Sequence, residues 1–147
     1  MLPNITYLNI ARERSHPRLA DYDAVYICGG NTYFILNRLR KTGLASSLKR
    51  YVLSGGLYIG VSAGSIIAGQ DISIAGWGSE GDPNDIKLKN LSGLRLTNIT
   101  IFPHYKANLR NEIEEFKKTV NSPVEVIKDK KAIVIKDNFK RKIKLKN

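Results

Sequence analysis

The chain has 147 residues, 42% hydrophobic and 25% charged, with a formal net charge of +11. That is long enough for one domain around one core, and no apolar run approaches the ~20 residues that span a bilayer. The single cysteine, Cys28, cannot close an internal disulfide and no N-terminal signal peptide is visible, so the chain reads as cytoplasmic.

In chain order, residues 5–10 and 24–28 read as strands, the second almost wholly apolar, as a strand covered on both faces is. Cys28 ends that run and reads as a buried small hydrophobe. His16 lies in a polar stretch and reads as a solvated loop residue. Asn31 is placed to cap a helix over Thr32–Lys41, with Ile35, Leu36 and Leu39 inward and Gly43 as its stop. A second helix fits Leu44–Leu53, with Leu44, Leu48, Tyr51 and Val52 inward. Strands at 57–61, 72–74 and 99–102 follow, with a short helix over Ala63–Ala68 between the first two. Leu109, Ile113 and Phe116 then recur at helical spacing. Strands alternating with helices predict an α/β fold, a mainly parallel sheet with helices on both faces. No repeat or low-complexity linker interrupts residues 1–147, which read as one domain.

The last third changes character. Residues 124–127, 132–135 and 139–146 read as short strands joined at Asp129-Lys130 and Asp137-Asn138, a C-terminal β-hairpin region. Residues 128–147 hold nine basic and two acidic side chains, so they carry +7 of the total charge. Lys140, Lys142, Lys144 and Lys146 alternate with Phe139, Ile143 and Leu145. Such a row reads first as a solvated edge strand that blocks edge-to-edge pairing, and second as a phosphate-binding surface. No aromatic interleaving, zinc spacing or recognition-helix pattern supports nucleic acid, although a basic balance also attracts acidic peptides.

The chemistry concentrates at Gly60-Val61-Ser62-Ala63-Gly64, between the apolar runs 57–59 and 66–68. Strand, sharp turn and helix with a serine at the corner is the pattern of a nucleophile elbow. The Ala63 amide opens the helix, where unpaired N–H groups can hold an oxyanion. His104, in Phe102-Pro103-His104-Tyr105, falls where the strand at 99–102 ends, and histidine is the usual base for a serine hydroxyl. A carboxylate to orient it is sought among Asp71, Glu80, Asp82 and Asp85, which lie between the serine and the histidine. Trp77, among glycines, reads equally as a pocket wall or as packing over the loop.

The run Gly29-Gly30-Asn31-Thr32, then Gly60–Gly64, then Pro103-His104-Tyr105, resembles the peptidase E family of serine peptidases. The family includes the alpha-aspartyl dipeptidases and, more distantly, the cyanophycinases. The resemblance implies a fold like that of the class I glutamine amidotransferases, with serine rather than cysteine at the elbow. It places the nucleophile on Ser62, the base on His104 and the oxyanion hole on the amides of Gly30 and Ala63. For the third member it favours Asp82, or Glu80 if the chain follows the cyanophycinase-like branch. Ile74-Ala75-Gly76-Trp77-Gly78 departs from the dipeptidases' substrate-reading segment. Family members also begin with a further strand–helix–strand unit, so the chain reads as N-terminally incomplete relative to them.

Two distant histidines and one cysteine give no metal cluster, and Gly29-Gly30-Asn31 lacks dinucleotide spacing, so no metal or cofactor is expected. The expected function is that of a serine peptidase acting on small peptides, including dipeptides with an N-terminal acidic residue, in a chain able to form a homodimer. The competing readings are a catalytically inactive shortened paralogue and a basic nucleic-acid-binding module.

Overall fold

The computed structural model describes residues 4–137 and 139–144. Strand β1 (Ala24–Ile27) leads through Gly29-Gly30 into helix α1 (Thr32–Lys41). Asn31 caps α1 by accepting the Phe34 N–H at 2.9 Å, which satisfies one of the helix's orphan donors. Gly43 lies beyond the last residue of α1, at φ 76°, and turns the chain into α2 (Leu44–Leu53). Both helices occupy their predicted spans. Strand β2 (Leu57–Gly60), the elbow and helix α3 (Ala63–Ala68) follow. Strand β3 (Thr100–Phe102), helix α4 (Arg110–Lys117) and strands β4 (Val124–Val126), β5 (Lys131–Lys136) and β6 (Phe139–Lys144) complete the order.

The strands pair two by two. β1 and β2 are parallel with Ile27 opposite Gly60, β3 and β4 are parallel with Phe102 opposite Val126, and β5 and β6 are antiparallel. The core is continuous across the first two pairs, and no described residue of β5 or β6 belongs to it. Leu36, Leu39, Leu48, Ile67, Ile72, Ile74 and Phe116 are all fully buried in it. Trp77 packs edge-on against Phe116, ring centroids 5.3 Å apart, and its Nε1–H donates to the Glu112 carbonyl. Its ring is therefore committed to α4.

Four expectations are corrected. Residues 5–10 form no strand; at the end of the segment Arg38 donates to the Ile10 carbonyl, and just beyond it to that of Glu13. Residues 72–74 enter a 3-10 turn (Ser73–Gly76) because the Asp71 carboxylate accepts the N–H and hydroxyl of Ser73. Ile72 and Ile74 are buried together there. β1 is not covered on both faces: Tyr26 on β1 and Leu57 and Ile59 on β2 are exposed on one side. Cys28, just past β1, is exposed rather than buried.

The lysine row of β6 keeps its alternation and its exposure, and two of its members find a partner. Cross-strand register puts Lys140 opposite Ile135 and Lys142 opposite Ile133, so these lysines share a face with half-buried isoleucines. Both ammonium groups reach the Glu125 carboxylate of β4. Burial by itself raises the pKa of Glu125, but the hydrogen bonds and charges of the two lysines outweigh it and hold the carboxyl below its ordinary value. Leu145 and Lys146 lie outside the described residues.

Candidate active site

Parallel strands end on the same side of a sheet, and the loops that follow those ends meet. β1 delivers Gly29-Gly30, β2 delivers Ser62, β3 delivers His104, and β4 delivers Asp129. The β3–β4 pairing runs on past both strands, with Ile127 donating to Phe102 and Tyr105 donating to Ile127. That extension carries the residues after Phe102 and after Val126 forward side by side.

Ser62 sits at φ 52°, ψ −118°, a conformation that costs a non-glycine residue about 1–3 kcal/mol. The surrounding glycines make the strained turn possible. A Cβ on Gly60 would lie 2.6 Å from the Gly64 carbonyl oxygen, and one on Gly64 would lie 2.2 Å from the Ile27 carbonyl oxygen. The turn is tied down by Gly64 N–H to Val61 O, Ser65 N–H to Ser62 O and the Ser65 hydroxyl to Ser62 O. The Tyr58 hydroxyl donates to the Gly64 carbonyl, and burial raises the pKa of that phenol.

The serine Oγ lies 3.1 Å from His104 Nε2. On the other side of the ring, His104 Nδ1 lies 2.8 Å from an Asp129 carboxylate oxygen. A carboxylate only accepts, so this contact assigns the proton to Nδ1 and leaves the Nε2 lone pair for the serine O–H. His104 and Asp129 side chains are 60% and 70% exposed, so the pair is open to solvent. Its value is orientation rather than stability.

The acidic loop goes elsewhere. One Asp82 carboxylate oxygen accepts the Thr32 N–H at 2.8 Å, at the start of α1. Glu80 faces Lys106 at 4.0 Å. Asp129, and not Asp82 or Glu80, stands at His104. The sequence held a signal for it: Asp129 follows the apolar run 124–127 as His104 follows 99–102. Asp129 lies beyond the histidine in sequence, outside the stretch between Ser62 and His104.

Gly29 packs against Ser62, where an added Cβ would lie 3.2 Å from the serine Cβ, and Gly30 adopts φ 139°. Among the described residues, no acceptor takes the N–H of Gly30 or of Ala63. No group of three or more His, Cys, Asp or Glu among the described residues is placed to hold a metal. A cleft of about 620 Å³ lies away from Ser62, lined in part by His16, Arg18, Tyr22, Ser47 and Arg50. There Ser47 bonds His16 Nε2 at 3.2 Å and accepts from Arg50, while His16 Nδ1 faces the Pro17 carbonyl. His16 is thus half-buried rather than solvated. Ser47 lies inside α2, without the strained turn of Ser62.

Comparisons with known proteins identify the family. The family model described as Peptidase family S51 matches residues 4–143. An uncharacterised peptidase of Pasteurella multocida is 33% identical over 88 residues, covering 60% of this chain and 42% of the relative. The peptidase E of Shewanella oneidensis is 33% identical over 102 residues, covering 67% of this chain and 41% of its own length. A crystal structure of a Listeria monocytogenes protein, provisionally described as a peptidase E, superimposes with a TM-score of 0.75 at 26% identity. That match covers 95% of this chain and 69% of the other. The chain spans less than half the length of the curated relatives named here. No described helix is long and apolar enough to cross a membrane. On sequence and on structure together, the chain belongs to peptidase family S51, the family of peptidase E.

Proposed function

We propose that this protein is a serine peptidase that hydrolyses small peptides, with Ser62 as nucleophile, His104 as general base and Asp129 as the carboxylate that orients it. The observation that carries this reading is the 3.1 Å contact between His104 Nε2 and an Oγ held on a strained elbow. Ser62 Oγ attacks the scissile carbonyl carbon while Nε2 takes its proton. The developing oxyanion is held by the N–H groups of Gly30 and Ala63. The C–N bond then breaks, the amine leaves with the proton from Nε2, and an acyl-serine remains. Water, deprotonated by the same Nε2, attacks the ester carbon; the C–Oγ bond breaks, Nε2 returns the proton to Ser62 Oγ, and the acid leaves. Asp129 keeps Nδ1 protonated and stabilises the imidazolium at each proton transfer.

A preference for an acidic N-terminal residue is supported by charge. The loops carrying His104 and Asp129 also carry Lys106, Lys128 and Lys130, and Lys131 opens β5 beside them, all exposed. A cationic rim attracts an anionic peptide and repels a cationic one. The exposed apolar face of β1 and β2 supports a homodimer, and the lone cysteine supports a reducing, cytosolic setting.

A fluorophosphonate probe tests the nucleophile. Wild type labels on Ser62, and Ser62→Ala abolishes labelling. Equal labelling of both overturns the assignment to Ser62. No labelling of either supports the inactive-paralogue reading.

A further inference from the structure

Resting on the peptidase reading above, we infer that Asp82 is a positioning residue for the oxyanion turn, not a partner of the catalytic histidine. The turn Gly29-Gly30-Asn31-Thr32 is gripped from two sides. Gly29 lies against the Ser62 side chain. On the other side, Asp82 accepts the Thr32 N–H at 2.8 Å, and the Asn31 side-chain amide donates to the neighbouring Pro83 carbonyl at 2.8 Å. Asn31 thereby joins three parts, because its Oδ1 also caps α1 through Phe34.

The loop that supplies Asp82 is firmly seated. The Asp82 N–H donates to the Ala75 carbonyl at 2.7 Å. Gly81 packs so closely on Gly76 that a Cβ would lie 2.6 Å from its carbonyl carbon, and the Tyr33 hydroxyl fills the space where a Gly76 Cβ would stand. Tyr33 sits in α1 directly after Thr32. The link therefore runs from a fixed loop to the first turn of α1, one residue beyond Asn31.

What it fixes is the direction of the Gly30 N–H. At φ 139° Gly30 is in a region that glycine alone enters freely, so its own backbone does not choose the conformation. Neighbours have to choose it. Thr32 is fully buried, and its hydroxyl already has no partner among the described residues. Loss of the Asp82 carboxylate would orphan a second buried group on the same residue, which drives the turn to rearrange. A carboxylate at a helix N-terminus is also the charge that the helix dipole favours.

The experiment compares Asp82→Asn, Asp82→Ala and Asp129→Asn in the full chain. Asn keeps a side-chain carbonyl that can accept the Thr32 N–H, and Ala does not. Asp82→Ala is expected to lower kcat on a small peptide substrate by about 10²–10³, the effect of losing one oxyanion donor, with KM within about twofold. It should weaken a peptide aldehyde inhibitor, which forms a tetrahedral oxyanion on Ser62, by a similar factor. Asp82→Asn should recover most of both. Asp82→Asn as damaging as Asp82→Ala and Asp129→Asn would overturn the inference and return Asp82 to the histidine. Unchanged kcat in Asp82→Ala would overturn it as well.

An NMR measurement separates this inference from the peptidase reading. In Asp82→Ala the Gly30 amide resonance should move and the Thr32 amide should exchange with solvent at least about tenfold faster, while Asp82→Asn stays near wild type. Unmoved Gly30 and Thr32 amides in Asp82→Ala sink the inference, whatever the activity. An inactive wild type with these amide changes sinks only the peptidase reading.

Discussion

At the residue scale, the proposed chemistry depends on which carboxylate faces Nδ1 of His104. Asp129 does so at 2.8 Å. An amide there can present N–H to the ring and favour the wrong tautomer, leaving Nε2 protonated and unable to accept from Ser62. Asp129→Asn is therefore expected to lower kcat by on the order of 10⁴, with little change in melting temperature because both groups are exposed. Steady-state kinetics with a thermal melt of the same sample checks both halves. Glu80→Gln is expected to leave kcat within about twofold, since Glu80 faces Lys106 at 4.0 Å on an exposed rim.

At the element scale, the elbow and the β5–β6 ribbon are held by different physics. The elbow is held by close approach. Gly64→Ala would drive a Cβ to 2.2 Å from the Ile27 carbonyl oxygen, and backbone on both sides has to move. Overpacking of this kind costs about 1–3 kcal/mol or more, so a lower chemical-denaturation midpoint and loss of Ser62 labelling are expected together. The ribbon is held by charge, through Lys140 and Lys142 on Glu125. The folded Glu125 pKa is depressed, so its contribution is present above the unfolded glutamate value and is lost as pH falls through the folded one. Protection of β5 and β6 amides from hydrogen exchange should therefore fall as pH drops below about 4.3, and Glu125→Gln should remove that dependence. Lys140, Lys142 and Lys144 remain exposed, as a solvated edge strand requires, with Glu125 engaging the first two.

At the scale of the whole molecule, the exposed side of β1 and β2 is the feature that bears on assembly. Tyr26, Leu57 and Ile59 are 55%, 55% and 39% exposed and lie on one face, with Tyr26 opposite Ile59 in register. Leu53, at the end of α2, is 87% exposed. Contiguous apolar side chains on an open sheet favour association. Sedimentation at low micromolar concentration is expected to show a dimer, and Leu57→Lys with Ile59→Lys to shift it to monomer. A wild-type monomer with a cooperative melt would mean that this face is stable against water without a partner.

Local chemistry was enough to read α1, α2 and α3 from the sequence, because caps, glycines and helical periodicity act within a few residues. It also marked Ser62 and His104, since an elbow and a strand end are local patterns. Tertiary structure decided the rest. Residues 5–10 had the composition of a strand, but they pair with no described strand, and the Ile10 carbonyl goes to Arg38, 28 residues away in sequence. Asp82 had the composition and position of a triad acid, but the Thr32 N–H claimed it. Asp129 reached His104 because β3 and β4 are parallel neighbours in one register, and a pairing between strands 24 residues apart leaves no trace in either strand alone. Sequence specifies which groups are able to bond. Where several can, the winner is set by which elements the fold brings within about 3 Å, and that distance exists only in three dimensions.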